Sequence, residues 1–257
     1  MIVDDFHPRL SPYWRQIAVG GGHLIVTHAG LRLQLAGAQR DRYADAQIDD
    51  YTGLKRNQFP WRPPLRLTVR ARASALVAGT AGFGFWNNPF SPFGGFPALP
   101  AAIWFFHAAP PSDMPIALDV PGYGWKAACI DATGPGALAW TPLAPAVVAL
   151  NQSPSLYRRI WPAVQRSLRI SEASIPSVDQ TWREYMLEWR DQRASFMIDG
   201  AVVHETDRTP HGPLGFVAWV DNQWLIATPQ GRLGWGLSST DSQWLDLAFI
   251  QIEEMKR

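Results

Sequence analysis

Apolar and polar residues alternate with a period of two over several short stretches of this chain, the signature of half-buried β-strands. Leu65, Leu67, Val69 and Ala71 alternate with Arg66, Thr68, Arg70 and Arg72. Tyr185, Leu187 and Trp189 alternate with Met186, Glu188 and Arg190. Asp191-Gln192-Arg193 breaks that run, Phe196 and Ile198 resume it, and Asp199-Gly200 signals a hairpin because glycine tolerates positive φ. Further strands are expected at 23–27, 31–35, near 46–51, at 76–86, 101–108, near 125–130 and at 244–252, where Leu245, Leu247 and Phe249 share a face. Ala101 to Ala108 is apolar on both faces and reads as a central strand, while Leu65 to Arg72 implies a sheet with one wetted side and a solvated basic row.

One segment leaves the β pattern. Ser153 is an N-cap, Pro154 takes the first helical position, and Tyr157, Ile160, Trp161, Val164 and Leu168 recur at helical spacing. A helical insertion over 153–170 is expected to pack across a sheet edge, with Pro162 kinking or splitting it. Its wet face carries Arg158, Arg159, Arg166 and Arg169. Residues 1–20 read as an irregular entry, 90–100 as a Pro/Gly/Phe-rich loop and 109–142 as turn-rich. Neither repeats nor a dividing linker interrupts the chain, so residues 1–257 are expected to form a single β-sandwich domain.

Composition narrows the function classes. Lys+Arg 23 against Asp+Glu 22 gives a net charge of +1 without a basic stripe, which argues against nucleic acid as a partner. The N-terminus lacks a basic segment followed by an apolar run, and nowhere is there an unbroken apolar stretch of about 18 residues. The expectations are therefore a cytoplasmic protein without a membrane partner. Cys129, the one cysteine, excludes an intrachain disulfide and a cysteine metal cluster, and its apolar flank predicts a buried thiol. The histidines show no ligand spacing, so neither a metal nor another cofactor is expected. Gly20-Gly21-Gly22 lacks the pattern of a nucleotide loop. The 13 Trp are the outlying quantity, since indoles supply both core area and flat faces for stacking on sugar rings.

Tyr185-Met186-Leu187-Glu188-Trp189 leading into Phe196-Met197-Ile198-Asp199-Gly200 resembles the strand-turn-strand of the concanavalin A-like lectin/glucanase superfamily. The Gly82 to Asn88 stretch, the strand at 101–107 and the closing strand 244–252 follow the order of laminarinase/β-glucanase-type glycoside hydrolases. The resemblance covers about residues 25–252 and implies an all-β jelly-roll sandwich with a ligand-binding concave face. It also implies three carboxylates on alternate positions of one central strand, because a retaining mechanism needs its two catalytic carboxyls about 5 Å apart. The matching strand, Ala101 to His107, carries no carboxylate. Glu205-x-Asp207 is an acid pair in a polar stretch that reads as loop.

Candidate residues follow from aromatic platforms set beside polar groups. The ligand-binding set is Trp86, Asn87, Asn88, Trp104, His107, Trp219, Asp221, Asn222 and Trp224. Alternation puts Trp219 and Asp221 on one face, and parity puts His107 with Ile103 and Phe105, where the superfamily places catalytic groups. Each has a plainer reading: core tryptophans, turn asparagines, a structural histidine. Three functions remain open. The first is a binding protein for a saccharide or similarly amphipathic small molecule without glycosidase activity. The second is an enzyme (hydrolase, lyase or isomerase) using Asp221 or His107 as acid/base. The third is a structural protein whose aromatics fill a core and whose helix mediates assembly.

Overall fold

A computed structural model of the chain describes residues 1–90 and 98–256; the loop expected at 90–100 lies largely outside them. In chain order, β1 (Ile2–Asp4), β2 (Arg15–Val19), β3 (Gly22–Thr27), β4 (Gly30–Ala38), β5 (Asp45–Asp49), β6 (Leu65–Ala73), β7 (Thr80–Trp86), β8 (Ala101–Ala108) and β9 (Gly124–Asp131) come first. The helices α1 (Pro135–Leu138), α2 (Ala144–Leu150) and α3 (Pro154–Ser167) follow. The chain then returns to strands: β10 (Ser171–Ser174), β11 (Arg183–Trp189), β12 (Ala194–Ile198), β13 (Ala201–Thr206), β14 (Gly215–Asp221), β15 (Gln223–Ala227), β16 (Leu233–Leu237) and β17 (Thr240–Glu254).

The strands form two large antiparallel sheets, and β15 and β16 pair with each other as a separate two-stranded hairpin. One runs β13-β12-β11-β6-β17-β4-β3, with β1 added to β17; the other runs β10-β9-β8-β7-β14-β5-β2. Their inner faces bury Leu67, Val69, Tyr185, Leu187, Trp189, Leu245, Leu247 and Ile250 from the first sheet against Phe83, Phe85, Ile103, Phe105 and Phe216 from the second. This is the all-β sandwich that the period-two alternation predicts. The hairpin at Asp199 (φ 50°) and Gly200 (φ 80°) has two consecutive positive φ values, the turn whose twist matches the flanking strands.

Several details depart from the sequence pattern. A register shift between Leu247 and Phe249 turns Phe249 out of the core and brings Ile250 and Ile252 in. The basic row on β6 is not simply solvated: Arg66 pairs with Glu188 and Glu253, and Arg72 with Asp246, across the neighbouring strands. The turn-rich stretch 109–142 carries α1, and α2 follows it. Pro162 lies within α3 without splitting it. Trp161 and Val164 pack with Ala117 and Ile170, and that burial outweighs the one backbone bond a proline cannot make. Glu205 belongs to β13 rather than to a loop. No helix among the described residues is long and apolar enough to cross a membrane.

Candidate functional site

Two-residue alternation along β5, β14, β7 and β8 sends one set of side chains into the core and the other to the outer face of the second sheet. The registers align that outer set in rows. Gln47 lies opposite Trp219, Trp219 opposite Gly82, and Gly82 opposite Phe106. In the next row Asp49, Val217, Gly84 and Trp104 are neighbours, and in a third Gly215, Trp86 and Ala102. The outer positions of β8 are therefore Ala102, Trp104 and Phe106, all without a carboxylate.

The rings merge into one strip. Trp104 stacks on Phe106 with centroids 5.3 Å apart and planes at 17°. Trp104 also meets Trp219 at 5.3 Å and Trp86 at 5.9 Å. Glycine makes this geometry sterically accessible: a β-carbon on Gly84 would lie 2.5 Å from Trp104 Cβ, and one on Gly82 would lie 2.9 Å from Trp219 Cη2. The glycines thus admit the chain's own indoles. Trp86 Nε1 donates to Tyr51 Oη (2.6 Å) and Trp219 Nε1 to Thr80 Oγ1 (2.9 Å), so both indoles are fixed by hydrogen bonds as well as packing. Trp86, Trp104 and Phe106 remain half-buried while Trp219 is buried. The helical segment closes the β9 end of this face, where Ile130 packs into the cluster of Trp161, Val164 and Ala117.

Beside the strip lies an acid pair. Asp45 and Asp221 face each other across the β5–β14 ladder, and both are buried. Directly opposed β-carbons stand about 4.5–5.5 Å apart in such a ladder. Asp221 accepts from Thr80 N (3.0 Å), Thr80 Oγ1 (2.8 Å), Gln223 N (3.2 Å) and Gln223 Nε2 (2.6 Å). Burial nonetheless pushes its carboxyl up to about 7. Burial, with the Asp221 charge added, lifts Asp45 well above the carboxylate range, and Asp45 Oδ1 has no hydrogen-bond partner among the described residues. Thr80 Oγ1 links the Trp219 indole to the Asp221 carboxylate.

The sequence candidates divide. The structure brings Trp86, Trp104, Trp219 and Asp221 to one face. His107 does not join them: Ile103 and Phe105 point into the core, and His107 goes with them. Its Nε2 lies 3.3 Å from the Val77 carbonyl, its ring meets Trp125 at 5.0 Å, and burial lowers its pKa to about 4. The Asn87 amide bridges the Leu99 carbonyl and the Ala101 N–H. Asn88 has φ 41°, and its carbonyl accepts from Arg56. The Asn222 side chain, fully buried, engages Ala44 N and the carbonyls of Gln39, Arg42 and Ser238. Trp224 packs over Gly236 in the β15–β16 hairpin, without a ring contact to the strip. Cys129 is buried, as its flank predicts.

No family model and no curated protein sequence matches this chain. Solved structures do. An endo-β-galactosidase from Clostridium perfringens that releases GlcNAcα1-4Gal superposes with a TM-score of 0.57 at 13% identity, over 98% of this chain and 61% of that one. A glycoside hydrolase family protein from Mycobacterium thermorestibile gives 0.56 at 12% identity, over 98% and 99%. The Bacillus licheniformis β-glucanase gives 0.52 at 9%, over 99% and 98%. The fold is the concanavalin A-like jelly roll. At these identities the likeness concerns the jelly roll itself, and the residues on its outer face are this chain's own.

Phe106, Gln47, Asp45 and Asp49 are outer-face residues that the sequence reading missed. The signal was available in Asp45-Ala46-Gln47-Ile48-Asp49, where polar groups alternate with apolar ones. Phe106 was hidden because its strand is apolar on both sides, so alternation could not say which side faces the core.

Proposed function

We propose that this jelly roll binds a saccharide, or a small molecule of similar amphipathic shape, on the aromatic outer face of its second sheet, without double-displacement hydrolysis. One observation carries the reading: Trp104 and Phe106, on the strand where the resemblance would put three acids, form a continuous, half-exposed strip with Trp86 of the neighbouring strand. Pyranose rings present apolar faces that stack on such surfaces, while their hydroxyls seek polar neighbours. Gln47, which donates to Asp49 Oδ2 at 2.9 Å, borders the strip and supplies polar capacity. Titration of tryptophan fluorescence with laminari-oligosaccharides and with small hydrophobic ligands tests the proposal. Saturable quenching that disappears in Trp104→Ala is expected; a flat response from the wild type would end it.

A second reading has its own observation. Asp45 and Asp221 are opposed carboxyls, and Asp221, pushed up to about 7, is protonated in about half of the molecules at neutral pH, as a general acid can use. Their burial and the four donors on Asp221 favour a structural pair. Release of reducing ends from laminarin by the wild type, abolished in Asp221→Asn, would favour the enzyme. His107 takes no part in this reading because it lies on the other side of the sheet.

A further inference from the structure

The β15–β16 hairpin turns an apolar face to solvent. Leu225 lies opposite Trp235 and Ala227 opposite Leu233, so these side chains share one side of the ribbon. Gly234 and Gly236 belong to the other side, under Trp224 and Ile226. On the open side Leu233 is 83% exposed, Trp235 62% and Leu225 38%. This face is held in place rather than loose. Along one edge, Asp113 N donates to the Leu225 carbonyl and Ala227 N to the Asp113 carbonyl, both at 3.0 Å. At the tip, Asn151 Nδ2 donates to the Pro229 carbonyl and Gln152 Nε2 to the Gln230 carbonyl, both at 2.8 Å. The one charge between Gln223 and Leu237 is Arg232, which turns to Asp113 at 3.4 Å. Large apolar side chains fixed together in water mark a surface that something covers.

Hydrogen bonds tie this face to the aromatic strip. Trp235 Nε1 donates to Gln223 Oε1 (3.3 Å) and Gln223 Nε2 to Asp221 Oδ2 (2.6 Å). Thr80 Oγ1 donates to Asp221 Oδ1 (2.8 Å) and accepts from Trp219 Nε1 (2.9 Å). Trp219, Asp221 and Gln223 thus lead from the outer face of the second sheet onto the exposed face of the hairpin. We infer that one ligand spans both surfaces, with a sugar ring on the strip and an apolar chain on Leu225, Leu233 and Trp235: a glycoside carrying an alkyl or acyl tail. The inference rests on the saccharide reading of the strip and names the class of saccharide. The two surfaces differ in what they can hold. Trp104 offers a flat ring, with Gln47 as a polar neighbour, which suits a pyranose. Leucines offer neither a flat face nor a polar group, but gain from every methylene that covers them. A charged tail would find no partner on this side of the ribbon.

Isothermal titration of the full chain with octyl β-D-glucopyranoside, kept below its micelle threshold, and with methyl β-D-glucopyranoside tests the inference. Laminaritriose, which has no tail, reports on the strip alone. The octyl glycoside is expected to bind about tenfold tighter than the methyl one, or more. Leu233→Ser and Trp235→Ala, both at exposed positions, should each cut that advantage about threefold or more. Leu233→Ser should leave laminaritriose binding unchanged, whereas Trp104→Ala should weaken both laminaritriose and the octyl glycoside. Equal binding of the two glucosides overturns the inference. So does an octyl advantage that survives both hairpin variants, or octyl glycoside binding that is unaffected in Trp104→Ala. In each of these cases laminaritriose binding to the wild type keeps the saccharide reading standing. Absence of binding by all three ligands removes both together. A wild-type dimer that dissolves in Trp235→Ala would put a second copy of the chain on the hairpin and also overturn the inference.

Discussion

The six-membered ring of Trp219 lies so close over Gly82 that a β-carbon there would meet its Cη2 at 2.9 Å, and the Phe105 carbonyl at 2.4 Å. The strip on the outer face therefore depends on a backbone without a side chain beneath it. Gly82→Ala is expected to displace the indole, break its bond to Thr80 and cost about 1–3 kcal/mol by overpacking. A denaturation midpoint equal to that of the wild type would show that the ring can lift away freely.

Trp104 and Trp189 should separate binding from stability. Trp189 is fully buried and its Nε1 donates to the Pro210 carbonyl at 3.0 Å. Trp189→Ala is expected to cost about 3–5 kcal/mol. Trp104 sits on the outer face, half-buried among other rings. Its alanine variant should lose clearly less stability while losing the fluorescence response to saccharides. Urea titrations of the two variants make the comparison, and equal losses would mean that the strip is merely a second core.

Why some of this was legible in sequence and some was not comes down to contrast between the faces of a strand. On β6, apolar and basic positions alternate, so the buried side of Leu67 and Val69 could be read directly. On β8, Ala102, Trp104 and Phe106 are as apolar as Ile103 and Phe105, so parity was fixed only by the sheet itself. That ambiguity is what put His107 on the wrong side. The asparagines illustrate a second limit. Asn222 looks like a ligand group beside tryptophans, but its donors and acceptors join segments that are distant in sequence, such as Ala44 and Gln39. Local chemistry does not reveal such long-range partners. Phe249 illustrates a third, because one extra residue at a bulge inverts every later position.

Asp246 ties the outer face of the first sheet together. It binds Arg32 through Nε (2.6 Å) and Nη2 (2.9 Å), and Arg72 through Nε (3.0 Å). The Trp244 ring lies 4.4 Å from the Arg32 guanidinium carbon. The arginines are about 29% and 28% exposed, so water solvates them if the carboxylate is removed, which limits the loss. Asp246→Ala is expected to cost about 1–3 kcal/mol, less in about 1 M salt, where the wild-type pairs are screened. Urea titrations at low and high salt check this. A loss that does not shrink with salt would assign the effect to packing.

The buried acids and the buried histidine oppose one another in pH dependence. Asp221 and Asp50 are both pushed up to about 7 by burial, and Asp45 is raised well above its ordinary value by burial and the Asp221 charge. As pH rises from about 4 to about 7, the unfolded chain releases these protons while the folded chain keeps them. The unfolded state then binds fewer protons, so this contribution to stability falls across that window. His107, lowered to about 4 by burial, acts the other way. Between about 6.5 and about 4 the unfolded chain takes up a proton that the folded one refuses, so stability falls as pH falls. In His107→Gln this opposing contribution is removed, and the change of melting temperature with pH from about 4 to about 7 should be shifted toward decline relative to the wild type. Asp45→Asn removes the acid whose Oδ1 lacks a partner and whose charge opposes that of Asp221. It is expected to raise stability by about 1–3 kcal/mol near pH 8, with a smaller effect near pH 4. Melting curves of the three proteins over this range test the assignment. A pH slope of His107→Gln identical to that of the wild type would show that His107 is not held neutral in the folded chain.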